Sequence, residues 1–183
     1  MATALPISAY VVLGLLSRHD DATPYQLDQE IRHSIGYFWV FPRSQLYAEA
    51  DRLVRRGLVE ERQEQAGRRR RTLSLTAAGR RELDRWLAVP TSALSEVHDE
   101  GLLRLFFQDS AGTGAPATIE RLATEQIRAH EGRLQEYQQL MGSGRLRPRS
   151  PERATLEVGL RLETMMIGFW REIAAAPADL IGE

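Results

Sequence analysis

Four arginines stand in a row, Arg68, Arg69, Arg70 and Arg71, inside the stretch GRRRRTLSLT of a chain whose formal net charge is only -1. A guanidinium is a planar fork of donors that fits phosphate oxygens. The chemistry such a run suggests is the holding of a polyanion, not a reaction. On an extended segment successive side chains alternate, so the four cannot all point one way. Arg68 and Arg70 are the expected contacts. Taken alone, the run is equally an exposed turn kept for solubility. Other reactive chemistry is scarce. Cysteine is absent, which removes disulfides, thiolate nucleophiles and thiolate metal sites together. The four histidines, His19, His33, His98 and His130, are far apart and lack metal-ligand spacing. There is no Gly-rich phosphate loop, nucleophile elbow or HExxH. His98, Asp99 and Glu100 cluster at a helix start, where acids meet the positive end of the dipole without any chemistry. The expectation is no enzyme, no cofactor and no metal.

The charge is unevenly spread. All 24 basic residues are arginine, and residues 1–90 carry about +3 while residues 91–183 carry about -4. That split suggests two modules, 1–90 and 91–183. With 43% hydrophobic and 27% charged residues, a folded chain is expected. Charges interrupt every apolar run before it could span a bilayer, and the mildly apolar start lacks a basic n-region. The sequence reads as cytoplasmic, with no membrane partner.

The elements that must position the arginines follow from local signals. Residues 6–18 fit a first helix through Val12, Leu13 and Leu16. Thr23, Pro24 and Gln26 form a capping box with proline after the cap, and open a second helix that ends near His33 or Ser34. An aromatic linker follows, with Tyr37, Phe38, Trp39 and Phe41. Pro42 restarts a helix over 43–56, carrying Leu46, Tyr47, Ala50, Leu53 and Val54, and Gly57 stops it. Residues 58–64 and 71–75 read as two strands around an Ala66-Gly67 turn. Thr76 caps a helix over 77–88 with Leu83, Trp86 and Leu87 on its buried side. The back module reads as wholly helical: 96–109, then a long helix from Pro116 and Thr118 to Met141, then a last helix capped by Ser150 from Pro151 onward.

Three helices followed by a two-stranded hairpin is the layout of a winged helix-turn-helix. In that layout the third helix enters the major groove and the hairpin, the wing, lies along the backbone. The fold class expected is mainly α, with an N-terminal winged helix-turn-helix and a C-terminal long-helix dimerisation domain. The arginine run then falls at the wing tip, where it gives position and salt-dependent affinity rather than sequence preference. On the third helix Arg43, Ser44, Gln45, Glu49 and Arg52 are the candidate exposed residues. Gln45 suits adenine, and Arg43 suits guanine or a phosphate. Tyr47 could face the core or offer its hydroxyl to a phosphate. Glu49 fits poorly beside a phosphate and is expected to pair with Arg52 at i,i+3.

These stretches carry a family resemblance. VLGLLSRHDDATPYQLDQEI, FPRSQLYAEADRLVRRGLVEE and RRRTLSLTAAGRRELDRWL together resemble the PadR family of bacterial transcriptional regulators. Gln45-Leu46-Tyr47, with Leu53, Gly57, Leu58 and Val59, matches the recognition-helix signature. Leu75, Thr76 and Gly79 match its L-T-x-x-G, and Trp86-Leu87 its usual W-L. Two positions depart: Pro24 replaces a glycine, and Leu73 stands where the family has a tyrosine that would anchor DNA or the wing. HDEGLLRLFF resembles the start of the family's larger C-terminal domain. The resemblance implies a DNA-binding repressor acting on a near-palindromic double-stranded operator. It also implies a homodimer joined through the C-terminal helices, and a small apolar or aromatic effector.

The back module's own pattern agrees with a dimer. Helix 151–174 is apolar on more than one side, through Leu156, Leu160, Leu162, Met165, Met166, Phe169 and Trp170, which calls for a partner surface. The alternative is packing within the same chain. Phe106, Phe107, Tyr137, Met165, Met166, Phe169 and Trp170 are the candidate lining of an effector cavity, against the plainer reading as core. Phe38, Trp39 and Phe41 are a second candidate, read preferentially as a hydrophobic bridge between modules. The rival to a DNA-binding regulator is a winged-helix protein-interaction module without specific DNA binding.

Overall fold

A computed structural model describes residues 4–63, 71–108 and 115–180. It divides into two compact units, Met1–Leu94 and Ser95–Glu183.

In the first unit, α1 (Ile7–Leu16) is the central helix, and Ala9, Val12, Leu13 and Leu16 are wholly or almost wholly buried. α2 (Pro24–Arg32) begins at the expected capping box. The Gln26 amide donates to Thr23 Oγ1 (3.2 Å), and Gln26 Oε1 accepts from the Thr23 amide (2.8 Å). α3 (Arg43–Arg55) buries Leu46, Ala50 and Leu53 against the same core. β1 (Val59–Gln63) and β2 (Arg71–Leu75) pair antiparallel, with Val59 opposite Leu75 and Gln63 opposite Arg71. The sheet gains a third contact where Ala22 exchanges both backbone hydrogen bonds with Leu73 (2.9 and 2.8 Å). Leu73 is fully buried, so the position at which a wing tyrosine was expected faces the core and not a DNA backbone.

α4 (Ala77–Ala88) starts at Thr76, whose Oγ1 accepts from the Gly79 amide (3.0 Å). The Thr76 amide in turn donates to the Leu58 carbonyl (3.2 Å). Gly79 is required here. A Cβ would lie 2.1 Å from the Leu58 carbonyl oxygen. The L-T-x-x-G stretch is thus a joint at which helix, cap and wing share one carbonyl. Only Leu83 of the expected buried trio is inside. Leu87 is exposed, and Trp86 is partly exposed, stacked on the Tyr10 ring at 4.7 Å.

In the second unit, α5 (Glu100–Phe106) is shorter than the helix expected over 96–109. Asp99 accepts from the Leu102 amide (2.9 Å), and this cap fixes the first turn; residues 91–99 before it are non-helical. α6 (Pro116–Gly142) and α7 (Pro151–Ala175) form a long hairpin, and the Ser150 hydroxyl caps α7. Their seam is pinned at three levels. Ala123 clusters with Met166 and Trp170. His130 Nδ1 meets Glu163 Oε2 at 2.6 Å. Tyr137 lies against Gly159, where a Cβ would come within 2.7 Å of its ring.

Candidate nucleic-acid interface

The interface is built from the start of α3 upward. Pro42 is the N-cap of α3 and has no side chain that can cap it. The Gln45 and Leu46 amides donate to the Pro42 carbonyl (2.9 and 3.2 Å), which leaves those of Arg43 and Ser44 to an outside acceptor, and an anion at a helix N-terminus is the physical complement. Arg43, Ser44 and Gln45 occupy this first turn, and all three are exposed. The Arg43 guanidinium lies over the Tyr47 ring, 5.7 Å from its centroid, and donates to its hydroxyl at 3.3 Å. Tyr47 therefore does neither of the two things expected of it alone. It is half-buried against the core while its hydroxyl steers an arginine.

Further along α3, Glu49 corrects the reading of it as an exposed residue. It is 5% exposed, accepts from the Ser8 hydroxyl (2.9 Å) and pairs with Arg52 (3.2 Å). The i,i+3 pairing holds, but its carboxylate faces α1. Glu49 Oε2 is buried without a hydrogen-bond partner. Arg52 remains about half exposed, with one arm tethered to this carboxylate.

Of the arginine run, Arg71 is the member among the described residues. Arg68, Arg69 and Arg70 lie outside the described residues. Arg71 is engaged by two carboxylates. Its Nη2 sits 2.5 Å from Asp51 Oδ1 on α3 and 3.0 Å from Glu61 Oε2 on β1. Burial works against its charge, but the hydrogen bond and charge of Asp51, followed by Glu61, outweigh it and raise its pKa above the ordinary guanidinium value. Sequence reasoning missed Asp51 and Glu61. Neither is close in sequence, and only the closed hairpin brings Glu61 diagonally across from Arg71.

The residues expected around an effector or a dimer partner divide into two groups. Met166 and Trp170 are buried in one cluster, and Tyr137 is buried at the Gly159 level of the seam. Leu160 and Phe169 are half-buried, and Phe169 meets Trp170 edge-on at 5.2 Å. Phe106, Phe107 and Met165 are exposed, with the two phenylalanines edge to face at 5.1 Å. The set is thus part core and part surface within the chain. Trp170 is fully buried, and its indole nitrogen has no hydrogen-bond partner. Phe41 belongs to the core of the first unit. With Trp39, Ile31, Arg32 and Arg43 it lines a shallow cavity of about 370 Å³. Among the described residues, no group of three or more His, Asp or Glu is arranged to hold a metal ion, and no helix is long and apolar enough to cross a membrane.

Comparison with known proteins places both units. Residues 12–85 match the transcriptional regulator PadR-like family, and residues 97–176 match the virulence activator alpha C-terminal family. The chain is 26% identical over 140 residues to the negative transcriptional regulator PadR of Bacillus subtilis (strain 168), covering 73% of this chain and 75% of that one. Bacillus subtilis PadR in complex with operator DNA superposes with a TM-score of 0.80 at 24% identity, covering 93% of this chain and 98% of that one. The same regulator in complex with p-coumaric acid gives a TM-score of 0.75 at 23% identity over the same shares.

Proposed function

The first module of the chain, residues 12–85, belongs to the PadR-like family of transcriptional regulators, and we propose that the protein is a homodimeric repressor that occupies operator DNA in the cytoplasm and leaves it when a small apolar or aromatic effector binds. The observation that carries the DNA reading is the start of α3. An uncapped helix N-terminus there presents Arg43, Ser44 and Gln45 together to solvent, on the element that a winged helix inserts into the major groove. Gln45 is the residue for base readout, and Arg43 for guanine or phosphate. Arg68, Arg69 and Arg70 add backbone contacts from the wing, and Arg52 adds one from the middle of α3.

The dimer is supported by α7. Val158, Leu162 and Met165 are exposed at spacings of four and three, a continuous stripe that flanks the buried Leu156, Met166 and Trp170. A second copy covering that stripe would set two α3 helices for successive major grooves of a near-palindromic site. The effector is supported by the p-coumaric acid complex of the Bacillus regulator. Repression is supported by the negative regulator to which the chain is similar.

The test is a gel-shift titration with the DNA upstream of the protein's own gene across a salt series, alongside a scrambled duplex. Specific binding that weakens steeply with salt is expected. Equal affinity for both duplexes at low salt would sink the DNA reading.

A further inference from the structure

We propose that Arg71 is not a phosphate contact but a strut that fixes the wing to the recognition helix, and that it thereby serves operator discrimination rather than charge neutralisation. The inference rests on the DNA-binding reading above. Three separate elements meet at one guanidinium: Asp51 from α3 at 2.5 Å, Glu61 from β1 at 3.0 Å, and Arg71 itself from β2. The side chain of Arg71 is 25% exposed, and its Nε is buried without a partner. Glu61 pairs opposite Leu73 and Arg71 opposite Gln63, so Glu61 is the same-face diagonal neighbour of Arg71. That diagonal alone would only stiffen the hairpin. Asp51 is what extends the bond to the helix.

The charge count argues the same way. One cation and two carboxylates leave the node at -1. Turning Arg71 toward a phosphate would strand two acids beside a polyanion, and like charges at that range repel. Left in place, Arg71 neutralises one of them and holds α3 and the wing at one angle. The first turn of α3 then meets the groove in one orientation while the wing follows the backbone. Holding contacts ready before binding favours the sequence they fit, whereas a phosphate contact favours all sequences alike.

The experiment measures binding of the full chain to operator and scrambled duplexes across a salt series, for wild type, Arg71→Met, Arg71→Lys and Asp51→Asn. Arg71→Met is expected to weaken operator binding roughly two- to tenfold, the cost of leaving a few side chains to be ordered on binding. The two acids left behind repel any duplex alike, so the readout is the ratio of operator to scrambled affinity, which is expected to fall while the log–log salt slope stays at its wild-type value. Saturation with operator at unchanged stoichiometry shows that the variant is folded. Asp51→Asn is expected to lower the operator-to-scrambled ratio in the same direction, with Arg71→Lys intermediate, since lysine keeps the charge but its ammonium ends short of the Nη2 that meets both carboxylates.

A salt slope shallower by about 0.9 in Arg71→Met would mean a lost phosphate contact and overturn the strut. Equal losses on both duplexes, or wild-type discrimination, would overturn it too. If Arg71→Met fails to saturate, Asp51→Asn takes its place. Losing one acid beside a polyanion tightens both duplexes alike, so the operator preference decides: a fall in the operator-to-scrambled ratio supports the strut, and an unchanged or greater ratio refutes it. A wild type without operator preference sinks the DNA reading and the strut together. Specific wild-type binding with a flattened slope in Arg71→Met sinks the strut alone.

Discussion

Gly79→Ala sets two physical effects against each other. Gly79 lies in the first turn of α4, and alanine is a better helix former by up to about 1 kcal/mol. Helix propensity alone would make the variant more stable. The surroundings reverse the sign. The new methyl carbon would lie 2.1 Å from the Leu58 carbonyl oxygen and 2.9 Å from Leu75 Cδ1. Carbon and oxygen come to rest no closer than about 3.3 Å, so the backbone must open by about 1 Å. That carbonyl accepts from the Thr76 amide, and Thr76 caps the helix. Opening the joint therefore strains the cap, worth about 1 kcal/mol, as well as imposing an overpacking cost of about 1–3 kcal/mol. The balance is a loss of about 1–3 kcal/mol from the first unit. Urea titration with amide exchange read on Ile7–Leu16 would show this as a midpoint lower by roughly 1–2 M. A midpoint equal to or above wild type would refute the reasoning, because it would mean that the joint yields at no cost.

Three further outcomes follow from other contacts. Burial, then the hydrogen bond to Glu82, raises the Tyr10 phenol above its ordinary value of 10.0. A raised folded pKa gives stability that is present below pH 10 and lost as pH climbs through the folded value. The first unit of wild type should therefore lose stability above pH 10 more steeply than Tyr10→Phe does; parallel declines in denaturant midpoint between pH 8 and 11.5 would contradict this. Gln45→Ala should change the ranking of operator variants in a binding panel by about 1–3 kcal/mol at one base pair, with the salt slope intact; a uniform loss over the panel would count against base readout. Met165→Glu puts a charge on the exposed stripe of α7, so sedimentation should shift toward a 20.7 kDa species while helical circular dichroism holds. An unchanged dimer would place the partner surface elsewhere.

Local signals were legible in the sequence wherever the cause was itself local. Thr23, Pro24 and Gln26 announce their capping box because all its partners lie within three residues. The alternation of Leu73 and Leu75 likewise marks a strand over 71–75. The start of α5 misled for a related reason. EVHDEGLL has good helix formers on both sides of Asp99, but a residue that caps cannot also sit inside the helix, and the chain before it stays irregular. The burial of Glu49 and the partners of Arg71 were not legible because their surroundings come from distant segments. Ser8 lies 41 residues from Glu49, and Asp51 lies 20 from Arg71. No periodicity encodes such meetings. A charged side chain on a helix or hairpin reads as solvated until the element facing it is known.

The three-level seam between α6 and α7 bears on how a signal could travel through the second unit. Its levels are unlike one another: a tryptophan beside an alanine, an imidazole on a carboxylate, a tyrosine on a glycine. Ala123, His130 and Tyr137 are seven residues apart, so together they index about 21 Å of helix. Slippage by a heptad would drive the indole onto the imidazole and leave Tyr137 facing a carboxylate instead of the gap at Gly159. Each level vetoes the displacements that another would tolerate. The hairpin is consequently stiff against sliding, and a push at one end reaches the other as rotation or tilt of a whole rod, not as a piston stroke of one helix along its neighbour.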